Sequence, residues 1–359
     1  MRFGFVGLGR ATQVFHLPAL ERVSGVEVVG GVDPSADRAE AWREAGRTAF
    51  ESVEQLLAEA QPEVVVVATP PDSHADICVE ALEGGAHVIC EKPFAMSVEE
   101  ADRVLAAADA TGRRVAVNLE FREKPILKSV KERVDSGDAG RLVFAQIWQL
   151  MDMAPWQEKT PWRTQMATRT LLEGGVHLVD LLLQLYGELP EAVYARRSAG
   201  FHDQEEADPI HLVILEFSGG RLGQVMIDRL CQAGTSYLEL RADCEQESLR
   251  ASLGGRAAVQ IGKKRAQAAG VRLDFGLGGL SWIEKAQRRR TLARASRNFG
   301  VDATAALLQR IVDALRAGEE PPSSGREARD GLVVIEAAYE SAATGMRIEL
   351  APRFAAVPA

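Results

Sequence analysis

The strongest constraint on this chain is a glycine turn, Gly7-Leu8-Gly9-Arg10-Ala11-Thr12, set between an apolar run at residues 3–6 and a helical pattern at residues 12–23. A strand that passes through such a turn into a helix predicts a Rossmann-type dinucleotide site. The first glycine makes the tight bend. The second lets the backbone approach a pyrophosphate, and the helix N-terminus supplies amide donors and partial positive charge. Thr12 stands where a third glycine would serve helix–strand packing, so it adds bulk without removing a phosphate donor. Asp33 follows at the end of the second apolar run, 24 residues beyond Gly9. An acid there accepts hydrogen bonds from the adenosine ribose hydroxyls and repels a 2′-phosphate. That favours NAD and leaves NADP possible, because Arg38 stands close enough to oppose the charge. Gly7, Gly9, Arg10, Ala11 and Asp33 are the cofactor contacts expected of this turn.

The first third of the chain repeats the same alternation. Apolar runs at residues 26–32, 64–67, 86–90 and 115–118 are separated by helical patterns at 36–45, 53–60, 74–83 and 98–111. Continuous apolar runs with intervening helices predict parallel strands buried on both faces. Beyond residue 121 the period changes. Residues 142–150, 193–198, 210–217, 222–227 and 237–242 alternate with period two, and Ser218-Gly219-Gly220 joins two of them as a hairpin. Helical patterns lie at 124–136, 303–317 and 326–344. The reading is an α/β Rossmann domain over residues 1–120, then an α+β domain over 121–359 with a predominantly antiparallel open sheet. The last helix is expected to pack back on the first domain. A chain of 359 residues suits two domains at roughly 100–200 residues each.

Charge narrows the partners. Residues 1–120 carry 10 Lys and Arg against 20 Asp and Glu, a balance of −10 within a net charge of −9. Long-range repulsion from that surface opposes nucleic acid and anionic membranes. The exception is residues 251–300, with Lys263-Lys264-Arg265 and Arg288-Arg289-Arg290, which reads as a solvated surface or a subunit contact, and less strongly as a site for an anionic substrate. No apolar stretch reaches the length of a membrane span. The N-terminus enters a strand without the apolar segment of a signal peptide. The four cysteines lack CxxC spacing. These features predict a cytoplasmic chain. No metal site is expected: His202, Asp203 and His211 lack zinc-ligand spacing.

Three segments, with the last helix, carry a resemblance. They are Gly7-Leu8-Gly9-Arg10 running to His16-Leu17-Pro18-Ala19-Leu20; Ala68-Thr69-Pro70-Pro71-Asp72-Ser73-His74 followed by Glu91-Lys92-Pro93; and Leu172-Glu173-Gly174-Gly175-Val176-His177-Leu178-Val179-Asp180. Together they resemble the Gfo/Idh/MocA oxidoreductases. The resemblance implies reversible oxidation of a hydroxyl on a sugar, cyclitol or related polyol. It implies a homodimer or homotetramer formed through the C-terminal sheet. It places Thr69, Pro70, His74, Glu91 and Lys92 along the cofactor, Lys92 beside the nicotinamide, and His177 as the acid–base group. Asn118, Arg122, Trp162, Arg163 and Asp180 occupy its substrate side.

Alcohol oxidation needs a hydride acceptor and a proton acceptor at one carbinol. The cofactor supplies the first and the protein the second. His177 suits the task because its ordinary pKa of about 6.5 lies near neutral pH. Glu173, His177, Asp180 and Gln184 share one helix face at helical spacing, so Glu173 or Asp180 is expected to orient the imidazole. Lys92, His177 and Glu173 are the expected catalytic set. Two departures from the family stand out: Glu173 where Asp is frequent, and Ala167-Thr168-Arg169-Thr170 where a glycine cluster is frequent. The alternatives are a redox-neutral hydrolase or lyase that oxidises its substrate transiently, and a non-catalytic dinucleotide sensor. Retention of both Lys92 and His177 argues against the sensor.

Overall fold

The computed structural model describes residues 1–152, 170–198, 208–231, 237–254, 258–264, 267–274, 279–285, 288–296 and 298–355. In the first part, six strands form one parallel sheet: β1 (Arg2–Val6), β2 (Glu27–Val32), β3 (Ala49–Phe50), β4 (Val64–Val67), β5 (His87–Cys90) and β6 (Val115–Val117). Their spatial order is β3-β2-β1-β4-β5-β6. The four valines of β4 are fully buried, as a strand covered on both faces requires. The order reverses direction between β1 and β4. In open α/β sheets that switch point, beyond the C-terminal strand ends, is the crevice that receives ligands.

The helices of this part are α1 (Leu17–Leu20), entered through a π-helical turn at Thr12–His16, then α2 (Ala36–Glu44), α3 (Val53–Gln55), α4 (His74–Glu83) and α5 (Val98–Thr111). Helix α5 starts where the Ser97 hydroxyl accepts from the Glu100 amide at 3.1 Å, and stops at Gly112 in the left-handed region. After β6, a 3-10 turn at Glu120–Glu123 leads into α6 (Pro125–Asp135).

The second sheet has nine strands. They are β7 (Leu142–Leu150), β8 (Ala192–Ser198), β9 (Ile210–Phe217), β10 (Arg221–Asp228), β11 (Leu238–Cys244), β12 (Ser248–Leu253) and, past a separate hairpin of β13 (Ala258–Lys264) and β14 (Gln267–Asp274), β15 (Gly279–Lys285), β16 (Arg288–Arg294) and β17 (Ile348–Glu349). All pairings in it are antiparallel except β7 with β10. One face is buried by α6, by α7 (Val176–Tyr186) and by α9 (Gly325–Thr344), the last helix. On the other face Leu212, Ile214 and Leu222 stand 37–44% exposed. The sequence reading missed β12 to β16; in β12 and β15 the buried Leu249, Ala251, Leu253 and Ile283 alternate with less buried positions that include Arg250 and Glu284.

The two C-terminal helices return to the first sheet. The Asp302 carboxylate of α8 (Phe299–Ala317) accepts from Arg22, and Glu336 of α9 accepts from the Val98 amide at 2.8 Å. Arg329 of α9 is buried and grips Asp102 of α5, with Nε to Oδ1 at 2.8 Å.

Candidate active site

Gly7 closes β1 at φ +94°, with its amide donating to the Val32 carbonyl at 2.8 Å. A β-carbon here would lie 2.5 Å from the Ala68 carbonyl oxygen, so the fold itself demands glycine. Gly9 is different. A β-carbon on it would meet only the Arg38 guanidinium, at 3.6 Å. The fold leaves the space before Gly9 open at the head of a helical turn, the cradle a pyrophosphate needs. Thr12 is buried and donates to the Gly7 carbonyl at 2.5 Å, fastening the turn rather than facing a ligand. Asp33 accepts from the Leu8 amide at 2.8 Å and from the Ser35 amide at 2.9 Å. With a longer contact from the Arg38 guanidinium at 3.5 Å, these use three of the roughly four lone-pair sites of a carboxylate. Arg10 and Ala11 open the helical turn, with Arg10 exposed.

Across the crevice, β5 ends in Glu91-Lys92-Pro93, with a cis peptide bond between Lys92 and Pro93. Glu91 Oε1 meets His16 Nε2 at 2.7 Å and accepts from Asn118 Nδ2 at 2.7 Å. Burial alone would raise this carboxyl, but His16, Asn118 and Lys92 together hold it at about 2. Asn118 Oδ1 is buried without a hydrogen-bond partner, an acceptor left for a ligand amide or hydroxyl. Lys92 Nζ donates to the Glu173 backbone carbonyl at 3.1 Å and stands 3.9 Å from Glu173 Oε1. His177 lies one turn further on, in the first turn of α7, and is 5% exposed. Its ring stacks on Phe121 at 4.1 Å between centroids, nearly parallel at 8°. Burial, with Lys92 and Lys124 nearby, pushes the His177 imidazole down to about 4, against the pull of Glu120.

A glycine turn at a strand-order switch, opposite a half-buried Lys92 and a buried His177, is the geometry of a dinucleotide enzyme. Residues 1–119 match the Gfo/Idh/MocA oxidoreductase family, NAD-binding Rossmann fold, and residues 127–250 match the Gfo/Idh/MocA C-terminal domain. The chain belongs to the Gfo/Idh/MocA family. An NADP-dependent scyllo-inositol 2-dehydrogenase of Bacillus subtilis is 23% identical over 357 residues, covering 95% of this chain and 93% of the relative. An inositol 2-dehydrogenase of Leifsonia xyli is 33% identical over 230 residues, 61% of this chain and 65% of the relative. A crystal structure of an oxidoreductase from Agrobacterium radiobacter, in complex with NAD+, L-tartaric acid and magnesium, superposes with a TM-score of 0.83. It is 19% identical over 98% of this chain and 99% of that one, a likeness of fold.

Within this Gfo/Idh/MocA site the expected relay is rearranged. Glu173 sits in a π-helical turn, Thr170–Gly175, ahead of α7. Hydrogen bonding of the i→i+5 type changes the angular phase, so Glu173 turns to Lys92 and not to His177. Gly174 must be glycine, because the Arg229 guanidinium lies 1.8 Å from where its β-carbon would be. Asp180 is spent on Arg122, which donates to it from Nε at 2.8 Å and from a second nitrogen, and reaches Glu327 at 2.9 Å with a third. The carboxylate that faces His177 is Glu120, with Oε2 3.8 Å from Nε2. The sequence reading missed it, although residues just past a parallel strand's C-terminal end are where this architecture puts ligand-facing groups.

Two further placements follow. His74 is fully buried, its ring nitrogens 2.8 Å from the Pro93 carbonyl and 3.0 Å from the Thr69 carbonyl. It ties the Thr69–Pro70 loop to Pro93. Arg122 and Asp180 are mutually paired at the edge of a cavity of about 320 Å³ that also meets Lys131, Gln184 and Asp330. Trp162 and Arg163 lie outside the described residues, as do His202 and Asp203. The basic run Arg288-Arg289-Arg290 lies on the edge strand β16, with Arg289 stacked 3.7 Å from the Trp282 ring centroid. Among the described residues no three His, Cys, Asp or Glu side chains gather as a metal site would need, and no helix is long and apolar enough to cross a membrane.

Proposed function

We propose that this protein transfers a hydride between a nicotinamide cofactor and a carbinol carbon of a sugar, cyclitol or related polyol, with Lys92 and His177 managing the hydroxyl proton. One observation carries the reading. Lys92 ends the strand beside the dinucleotide crevice, and its ammonium reaches the turn that begins the His177 helix. The cofactor, when bound, accepts or returns the hydride. Lys92 holds the substrate hydroxyl by a charge-assisted hydrogen bond. The buried imidazole of His177, neutral at pH 7, takes the hydroxyl proton on oxidation and gives it back on reduction. Glu91, fixed by His16 and Asn118, sets the direction of Lys92 through the shared backbone. Gly7, Gly9, Arg10, Ala11, Asp33, Thr69 and Pro70 surround the cofactor in this reading.

The uncovered sheet face bearing Leu212, Ile214 and Leu222 supports assembly as a homodimer or homotetramer. Four free cysteines support a reducing, cytoplasmic setting. The reading is tested by titrating NAD and NADP into cofactor-free protein and following NADH or NADPH formation over a panel of inositols, aldoses and sugar alcohols. Binding with turnover supports it; turnover without net reduction of cofactor favours the redox-neutral alternative.

A further inference from the structure

Three side chains enclose His177 that no reading of the helix periodicity anticipates. Phe121 covers its ring face at 4.1 Å. Glu120 Oε2 lies 3.8 Å from its Nε2, and the other oxygen, Oε1, accepts from Lys124 Nζ at 3.1 Å. Lys124 is 2% exposed and also lies 3.6 Å from the Phe121 ring centroid. His177 Nδ1 is buried without a partner, as Asn118 Oδ1 is, and Nε2 is the nitrogen that faces Glu120. Lys92 and Glu91 face the ring from the end of β5, Glu120 and Lys124 from the turn before α6. Glu173 and Asp180, on the ring's own segment, are engaged with Lys92 and Arg122.

We propose that Glu120 is the positioning residue of His177: its carboxylate stands beside Nε2 and stabilises the imidazolium formed when the hydroxyl proton arrives, while the Lys124 ammonium opposes that charge. The step balances. On oxidation the C–H bond would release a hydride to a bound nicotinamide, the O–H bond a proton to the imidazole, and a C=O bond would form. The proton then leaves to water. Burial and two ammonium groups oppose a charge on this ring, and Glu120 is the nearest group that favours one. The pairing therefore sets how readily His177 accepts a proton. It rests on the reading that His177 is the acid–base group.

The test uses full-length protein with ¹³C-labelled histidine, following the His177 titration by NMR alongside the pH profile of kcat/KM. E120Q should move the His177 titration to lower pH and cut kcat at least tenfold, with KM within about twofold and E120D partly restoring turnover. K124M should move the same titration to higher pH. Because E120Q removes a carboxylate that pairs with a buried ammonium, the double variant E120Q/K124M keeps the test open if the single variant unfolds; its titration should fall below that of K124M, and a double variant that titrates with K124M would overturn the pairing. Opposite shifts in the two single variants support the pairing even if wild-type protein oxidises no polyol, an outcome that would count against the oxidoreductase reading alone. A folded E120Q protein with the wild-type titration and pH profile, or equal shifts of one sign in both single variants, would overturn it.

Discussion

Lys92 Nζ and the Glu173 carbonyl oxygen, 3.1 Å apart, join the end of a Rossmann strand to the turn that begins the His177 helix. One ammonium thus links the cofactor side of the cleft to its substrate side. Replacing it by an apolar side chain of similar length separates the two. Lys92→Met is expected to lower kcat by about 10²–10⁴-fold, the range for loss of a proton-handling group. NAD affinity, measured by calorimetry, should change little, because the pyrophosphate cradle is untouched.

Gly7 and Gly9 should fail in different ways. Gly7→Ala puts a β-carbon 2.5 Å from a carbonyl oxygen at positive φ, so thermal melting should drop sharply; Gly9→Ala meets only a flexible guanidinium. Melting of Gly9→Ala should stay near wild type while the NAD dissociation constant rises at least tenfold, about 1.4 kcal/mol. Equal affinity in Gly9→Ala would remove the phosphate from that turn.

Much of this was legible in the sequence, and the failures have physical causes. Strand β4 and helices α4 and α5 run over the residues that hydrophobic period predicts, because buried parallel strands and amphipathic helices write themselves locally. Strand β16 did not, because its sheet is covered on one face only and its arginines mask the pattern. Lys92, Glu173 and His177 do converge. The partner of His177 was misplaced because helical spacing was extended through Thr170–Gly175, where packing of Arg229 against Gly174 accompanies a wider turn. That is a tertiary effect, invisible to a count of i and i+4.

The lowered His177 pKa carries a signature in stability. Its folded value, about 4, lies below the ordinary 6.5. Between those values the unfolded chain binds more protons, so stability rises with pH and is lost as pH falls from 6.5 toward 4. His74, also lowered by burial, acts in the same direction. Urea melts of His177→Phe should show a shallower loss across that window than wild type. An identical slope would place the His177 value near that of an exposed imidazole.

Arg122 should matter to the fold more than to the substrate. It is held by Asp180 and Glu327 in a largely buried cluster, and Glu327 also closes the capping box of α9 with Ser324. Asp180→Asn leaves the guanidinium poorly compensated and is expected to cost about 3–5 kcal/mol of stability by urea denaturation. KM for a polyol should move less than twofold.

The apolar sheet face gives a test of assembly. Leu212 and Ile214 project from β9 into solvent in the single chain. The double substitution Leu212→Glu and Ile214→Glu should shift sedimentation from an oligomer to a monomer. Wild-type protein that sediments as a monomer at micromolar concentration would rule that face out as an interface.

The account turns on whether Lys92 and His177 serve hydride transfer. The most direct measurement is NADH formation by cofactor-free wild-type protein and by His177→Ala, in parallel, on a panel of inositols and aldoses, with NAD binding measured on both. The account predicts turnover by wild type on at least one polyol, loss of nearly all of it in His177→Ala, and equal NAD affinity in the two. Wild-type turnover retained in His177→Ala, or tight NAD binding with no oxidation of any polyol, would contradict it.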